Sequence, residues 1–128
     1  MEFSVTTKKR VELINITEEV QTLLAQINCS ELSQTVTLFV PHTTAAITIN
    51  ESADPSVVND LESAFKQLVP NITFEHMEGN SPAHLLSTLI GPSMVVPIAN
   101  QQLDLGRWQG IFFCEFDGPR QRKIKLLR

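Results

Sequence analysis

Three runs with strand character, residues 93–98, 108–116 (WQGIFFCEF) and 121–127, follow one another at the C-terminal end with no helical period among them. Consecutive strands of this kind are read as members of a mostly antiparallel sheet. The N-terminal part has the same texture. Residues 3–9 and 11–16 are rich in Val, Thr and Ile, and the polar join Thr7-Lys8-Lys9-Arg10, with a change of apolar parity after Leu13, suggests a bulge or bend. Residues 34–40 (QTVTLFV) and 45–50 (AAITIN) are two more strands, separated by a polar HTT that reads as a bulge or corner.

Helical period enters at three places. From Thr17, placed to cap, Glu18 and Glu19 suit the positive end of a helix dipole, and Val20, Leu23, Leu24 and Ile27 follow i, i+3, i+4, i+7. Asp54-Pro55 is an N-cap followed by a proline in the first turn, with Val58, Leu61, Phe65 and Leu68 as the apolar face up to Pro70. Ser81-Pro82 repeats that signal for a shorter helix through Leu85, Leu86, Leu89 and Ile90, stopped by Gly91-Pro92. The pattern is α+β, with mostly antiparallel strands and two or three helices.

A length of 128 residues suits one domain, 1–128, and 42% hydrophobic with 19% charged residues describes an ordinary globular chain. Apolar runs such as 93–98 are far too short to cross a bilayer, and MEFSVTTKKR lacks the order of a secretory signal, so a cytoplasmic protein is expected. Cys29 and Cys114 are then expected to be reduced, buried or inert thiols, and the sequons at Asn15, Asn28, Asn50 and Asn71 carry no glycans. A net charge of −4 argues against nucleic acid as a partner. The basic tail RQRKIKLLR sets Lys123 and Lys125 against Ile124 and Leu126, as a strand with a charged face does.

Chemistry-bearing residues gather in two segments. FEHMEGNSPAH (74–84) holds His76, Glu78, Asn80 and His84, and PHTTAAITINESADP (41–55) holds His42, Thr43, Thr44 and Glu51. His84 falls in the first turn of a helix, where free N–H groups favour an anion. Three imidazoles with a carboxylate would suit zinc or a similar divalent ion, although no spacing matches a strict motif such as H-E-x-x-H and each histidine alone could be structural. The hydroxyls of Thr43 and Thr44 can meet phosphate or carboxylate oxygens, or serve a plain β-bulge. Asp54 has a sufficient role as a cap. Near the C-terminus Gln109, Glu115 and Asp117 share one strand parity, against Trp108, Phe112, Cys114 and Phe116 on the other. Buried acids need partners, from Arg120, a bound cation, an internal ion pair or a subunit contact.

HTTAAITINESADP (42–55), EGNSPAHLLSTLIGPS (78–93) and LGRWQGIFFCEFDGPRQRKI (105–124), in this order, resemble the YjbQ-type family, small proteins described as secondary thiamine-phosphate synthase enzymes. The resemblance implies a curved, barrel-like antiparallel sheet and a homotrimer. It also implies a histidine site of His42, His76 and His84, able to hold a divalent ion such as zinc or magnesium, with Glu51, Glu78 and Glu115 as further catalytic groups. Asn80, Gln109 and Asp117 are the matching amide and acidic positions, and with Thr43, Thr44 and Arg120, read from the residues themselves, they are the expected substrate contacts. Where a lysine would be expected shortly after Ala83-His84, this chain has Leu86. There is no Gly-rich phosphate loop, and basic residues outside the tail are few. The expectation is therefore an enzyme acting on a small phosphorylated or anionic metabolite, with thiamine-phosphate synthesis as a secondary activity. The alternative is a non-catalytic module that binds such an anion.

Overall fold

A computed structural model describes residues 1–28, Ser30 and 34–128; Cys29 lies outside the described residues. The elements in chain order are β1 (Glu2–Thr6), β2 (Glu12–Asn15), α1 (Thr17–Ala25), β3 (Thr35–Phe39), β4 (Ala45–Glu51), α2 (Pro55–Gln67), α3 (Ser81–Ile90), β5 (Ser93–Ala99), β6 (Gln102–Leu103), β7 (Gln109–Glu115) and β8 (Gln121–Leu127). Every strand pair is antiparallel. The fold is α+β: a five-stranded sheet, β1-β8-β3-β5-β6, curls against a three-stranded one, β2-β7-β4, as a half-barrel. No described helix is long and apolar enough to cross a membrane.

The layers follow from side-chain parity. Val5, Val36, Leu38, Val96, Ile124 and Leu126 from the five-stranded sheet meet Ala45, Ile47, Ile111 and Phe113 from the other, with Val20 and Leu24 of α1 closing this first core. On the opposite face of the three-stranded sheet, Leu13, Ala46, Phe112, Cys114 and Phe116 pack under Phe65 of α2 and Ala83 and Leu86 of α3. The central strand β7 is thus covered on both faces, which its unbroken apolar run GIFFC requires. Burial pushes the Cys114 thiol up to about 12, so it stays protonated and inert.

The two bends read from the sequence are places where the chain changes sheet. Residues 7–11 carry it from β1 to β2, and 40–44, including the HTT, carry it from β3 to β4. The parity change after Leu13 needs no bulge: Leu13 faces the second core, while Ile14 and Ile16 face the first.

Three local expectations are corrected. Thr17 does not cap α1. Its hydroxyl accepts the Ile111 N–H (2.9 Å), and its own N–H is met by Asn15 Oδ1 (3.0 Å). Ser81 lies inside α3, and Asn80 at the cap position makes no side-chain capping bond. Leu68 is 57% exposed because α2 ends one residue before it. The inward position on α2 belongs to Glu62, whose carboxylate accepts the Leu13 N–H of edge strand β2 (3.0 Å) and the Lys9 ammonium (2.7 Å). A helix side chain thereby closes an open sheet edge. The Asp54 cap is as expected, its carboxylate accepting the Ser56 N–H at 2.9 Å. The short β6, absent from the sequence reading, is joined to β5 by Asn100-Gln101, both at positive φ (51° and 64°), a hairpin without the usual glycine.

One polar cluster crosses between the sheets. Glu115, at the end of β7, forms a bidentate pair with Arg122 of β8: Nη2 donates to Oε1 (2.6 Å) and Nε to Oε2 (2.9 Å). Both side chains are buried, at 0% and 5% exposure. The Thr7 hydroxyl and the Asp117 N–H donate to the same carboxylate at 2.8 and 3.0 Å, and Arg122 Nη2 also donates to Thr44 Oγ1 at 2.8 Å. Burial alone would raise the Glu115 pKa, but the bonds from Arg122, the Asp117 amide and Thr7 outweigh it and hold the carboxyl below its ordinary 4.5. Its stabilising contribution is complete above that ordinary value and is lost as pH falls through the depressed folded-state value. Arg122→Met, which strands the carboxylate, should cost roughly 3–5 kcal/mol. In urea denaturation the double variant Glu115→Gln/Arg122→Met should cost clearly less than the sum of the singles, and Glu115→Gln should flatten the acid limb of stability. Additive single costs would mean the two groups do not act as a pair.

Candidate active site

The corner between β3 and β4, the start of α3 and the β7–β8 turn converge on an open cleft of about 600 Å³. His42, Thr43 and Thr44 come from the corner, and Glu78, Asn80 and His84 from the approach to α3 and its first turns. Asp117, Arg120 and Arg122 come from the turn and β8, with Phe39, Val40, Pro41 and Pro92 as apolar wall. A buried bond seats α3 here: Ser87 Oγ donates to the Ala45 carbonyl of β4 at 2.7 Å.

Close approach shapes the β7–β8 turn. A Cβ on Gly118 would stand 2.2 Å from the Lys9 carbonyl, so only glycine lets the turn press against the β1–β2 join. Asp117 then lies between Arg120 Nη2 (2.8 Å) and Asn80 Nδ2 (3.1 Å), with Arg10 Nη2 farther out at 3.9 Å. Asn80 Oδ1 is the one buried side-chain acceptor without a partner among the described residues. The physical reason is local: Pro82 has no N–H to give, and the Ala83 N–H goes to the Asn80 backbone carbonyl at 3.0 Å.

The imidazoles have different surroundings. His42 Nε2 accepts the Lys123 N–H at 2.9 Å, continuing the β8 ladder just beyond its last pair with β3, Phe39↔Lys125. With Nε2 an acceptor, the proton sits on Nδ1. Burial, reinforced by the Arg122 guanidinium, pushes the His42 pKa below 6.5, so the ring is a neutral donor near neutral pH. His84 lines the cleft and its ring nitrogens make no hydrogen bond among the described residues. Its ring meets that of His76 edge-on with centroids 5.5 Å apart, and His76 Nε2 is 3.6 Å from Glu78 Oε2. His76 stands behind His84 and is not part of the cleft wall.

Of the residues expected from sequence, His42, Thr43, Thr44, Glu78, Asn80, His84, Asp117 and Arg120 therefore share one cleft. Four do not: His76 is outside the wall, and Glu51 and Gln109 pair with each other at the far end of the β4–β7 ladder, whereas Ala45↔Glu115 marks the cleft end. Glu115 is the fourth: at 0% exposure it is sealed behind Arg122 and does not line the cleft. Among the described residues no three His, Cys, Asp or Glu side chains are grouped to hold an ion, and His42 Nε2 is already engaged. Arg122 is the cleft residue that sequence reading missed. Its signal was parity, because it alternates with Lys123 and Lys125 on the same inward face as Ile124 and Leu126.

Comparison with known proteins places the chain among its relatives. The family described as "UPF0047 protein YjbQ-like" matches residues 1–127. The Bacillus subtilis UPF0047 protein YugU is 47% identical over 125 residues, covering 94% of this chain and 93% of its own length. A UPF0047 protein of Methanocaldococcus jannaschii is 46% identical over 124 residues, covering 95% and 88%. Among solved structures, an uncharacterised YjbQ/UPF0047 protein of Clostridium acetobutylicum superposes with a TM-score of 0.90 at 42% identity, covering 98% of this chain and 97% of that one. A hypothetical protein of Aeropyrum pernix gives 0.89 at 36% identity, covering 99% and 95%. This chain belongs to the YjbQ/UPF0047 family.

Proposed function

We propose that the chain is a cytoplasmic small-metabolite enzyme whose cleft binds a phosphorylated or otherwise anionic substrate, with His84 transferring a proton. The observation that carries this reading is the guanidinium of Arg122. It is buried and oriented through Nε and Nη2, its Nη1 is spared by those bonds, and the residue still lines the cleft. A cation held this way is pre-organised for an oxyanion. His42 Nδ1–H and the Thr43 hydroxyl add neutral donors, Arg120 a second cation, and Asp117, Glu78 and Asn80 Oδ1 acceptors for hydroxyl or amine groups. A volume of about 600 Å³ suits a small metabolite.

In this reading His84, free of protein hydrogen bonds at its ring, gives a proton to a leaving oxygen or takes one from a nucleophile, and His76 with Glu78 orients it. Joining two phosphorylated halves, as in thiamine-phosphate synthesis, is a secondary activity compatible with these groups. The second reading is a binding module. It uses the same donors without His84 chemistry, and the weakly restrained, largely exposed Glu78 favours it. The particle is proposed to be a homotrimer: Val95 (62% exposed) and Leu127 (49%) flank Thr37 on the outward face of the five-stranded sheet, an apolar strip suited to contact between copies.

Calorimetry with inorganic phosphate should show saturable binding, weakened about tenfold by Arg120→Gln, the scale of one charge-assisted hydrogen bond. A thermal-shift screen of phosphorylated metabolites, with product assays on each hit, separates the two readings. His84→Asn should keep binding within about threefold and abolish turnover. Binding without product from any hit supports the module, and no phosphate binding at all rejects both. Imidazole NMR should find His42 as the Nδ1–H tautomer, titrating below 6.5. A midpoint above that value would remove its role as a neutral donor. Sedimentation velocity should give a trimer that Val95→Lys dissociates; a monomeric wild type ends that proposal.

A further inference from the structure

A second opening lies beside the cleft, where α2 and α3 cover the three-stranded sheet without closing over it. This crevice of about 320 Å³ is lined by Val69, Ala83, Leu86 and Phe116, with Arg10 and Lys66 also contributing to it. Phe116 is held in place edge-on by Phe65, centroids 5.4 Å apart. The local charges are unequal in a chain whose net charge is −4. The nearby acids already have close partners: Glu62 is paired with Lys9 at 2.7 Å, and Asp117 with Arg120 at 2.8 Å. Lys66 makes no ion pair among the described residues, and it lies in the last turn of α2, where the helix dipole favours a cation. Arg10 is held only at long range, 3.9 Å from Asp117 Oδ1 and 3.5 Å from the Gly79 carbonyl.

We infer that this crevice is a binding site for a small amphipathic carboxylate, its apolar body against the partly exposed Val69 and Pro82 over a floor of Leu86 and Phe116, and its head between Arg10 and Lys66. The guanidinium fork matches a carboxylate in two contacts, and the ammonium adds a point charge. The volume is at the lower end of small-molecule sites, which selects a short chain. A second copy of this chain is a poorer occupant. Its opposing surface would have to carry the anion, and the exposed apolar strip of Val95 and Leu127 is on the outer face of the other sheet.

The test titrates the full chain with octanoate, octanol and octylamine, following methyl resonances by NMR and affinity by calorimetry. Octanoate should shift the methyls of Val69, Ala83 and Leu86 saturably and bind roughly three- to tenfold tighter than octanol, with octylamine weakest. The surface variant Arg10→Gln/Lys66→Gln should lower octanoate affinity to that of octanol and leave octanol unchanged. The proposal is overturned if the three probes bind equally, if none moves these methyls, or if the methyls show intermolecular contacts to a second copy.

Discussion

The half-barrel depends on a buried carboxylate and guanidinium that meet where its two sheets come together. Removing both ions from water costs of the order of several kcal/mol each, and that cost is recovered only with near-complete hydrogen bonding. Glu115 meets the condition with four donors, and Arg122 with both Glu115 oxygens and Thr44. Each partner belongs to a different segment: the β1–β2 join, the β3–β4 corner, the β7–β8 turn and β8. Satisfying the pair therefore positions three connections at once, and two of them, the β3–β4 corner and the β7–β8 turn, wall the cleft.

This arrangement explains how much was legible in advance. Periodicity located strands and helices because most side chains bury on one face. It also located two of the sheet changes, since Thr7-Lys8-Lys9-Arg10 and His42-Thr43-Thr44 interrupt apolar runs with groups that need solvent or specific partners. It could not say that β7 has two buried faces, because a continuous apolar run does not name its neighbours. Nor could parity separate Glu115 from Gln109. Both share one side of β7, yet one end of that strand reaches the cleft and the other meets Glu51 across the ladder. Arg122 was missed for a related reason: composition groups it with the basic tail, whereas its register with Ile124 and Leu126 turns it inward.

The histidines make the same point at the level of chemistry. Sequence presents three equivalent imidazoles, and their protonation and roles depend on backbone groups far away in the chain. The Lys123 amide engages His42 Nε2 and fixes its tautomer. Pro82 and the Ala83 amide leave the Asn80 side-chain oxygen without a donor. His84, two positions after Pro82, meets the His76 ring edge-on and makes no hydrogen bond through its ring nitrogens among the described residues. Spacing along the chain carries no information about these donors, so a three-histidine metal centre and a divided set of imidazoles look alike until the fold is known.

The two arginines of the cleft differ in what ordering them on a ligand would cost. Arg120 is half exposed, holds Asp117 through Nε and Nη2, and keeps much of the freedom of a surface side chain. Arg122 loses that freedom when the protein folds, because Glu115 and Thr44 fix its plane. In the proposed reading an anion that meets Arg122 meets a guanidinium whose entropy has already been surrendered and whose charge is balanced by the Glu115 carboxylate behind it. Such a group discriminates by geometry more than by charge, since an oxygen off the axis of Nη1 gains little from so restrained a donor. In the proposed reading Arg120, half exposed, adjusts to the anion while Arg122 fixes its orientation, so that selectivity follows from the residue that also holds the sheets together.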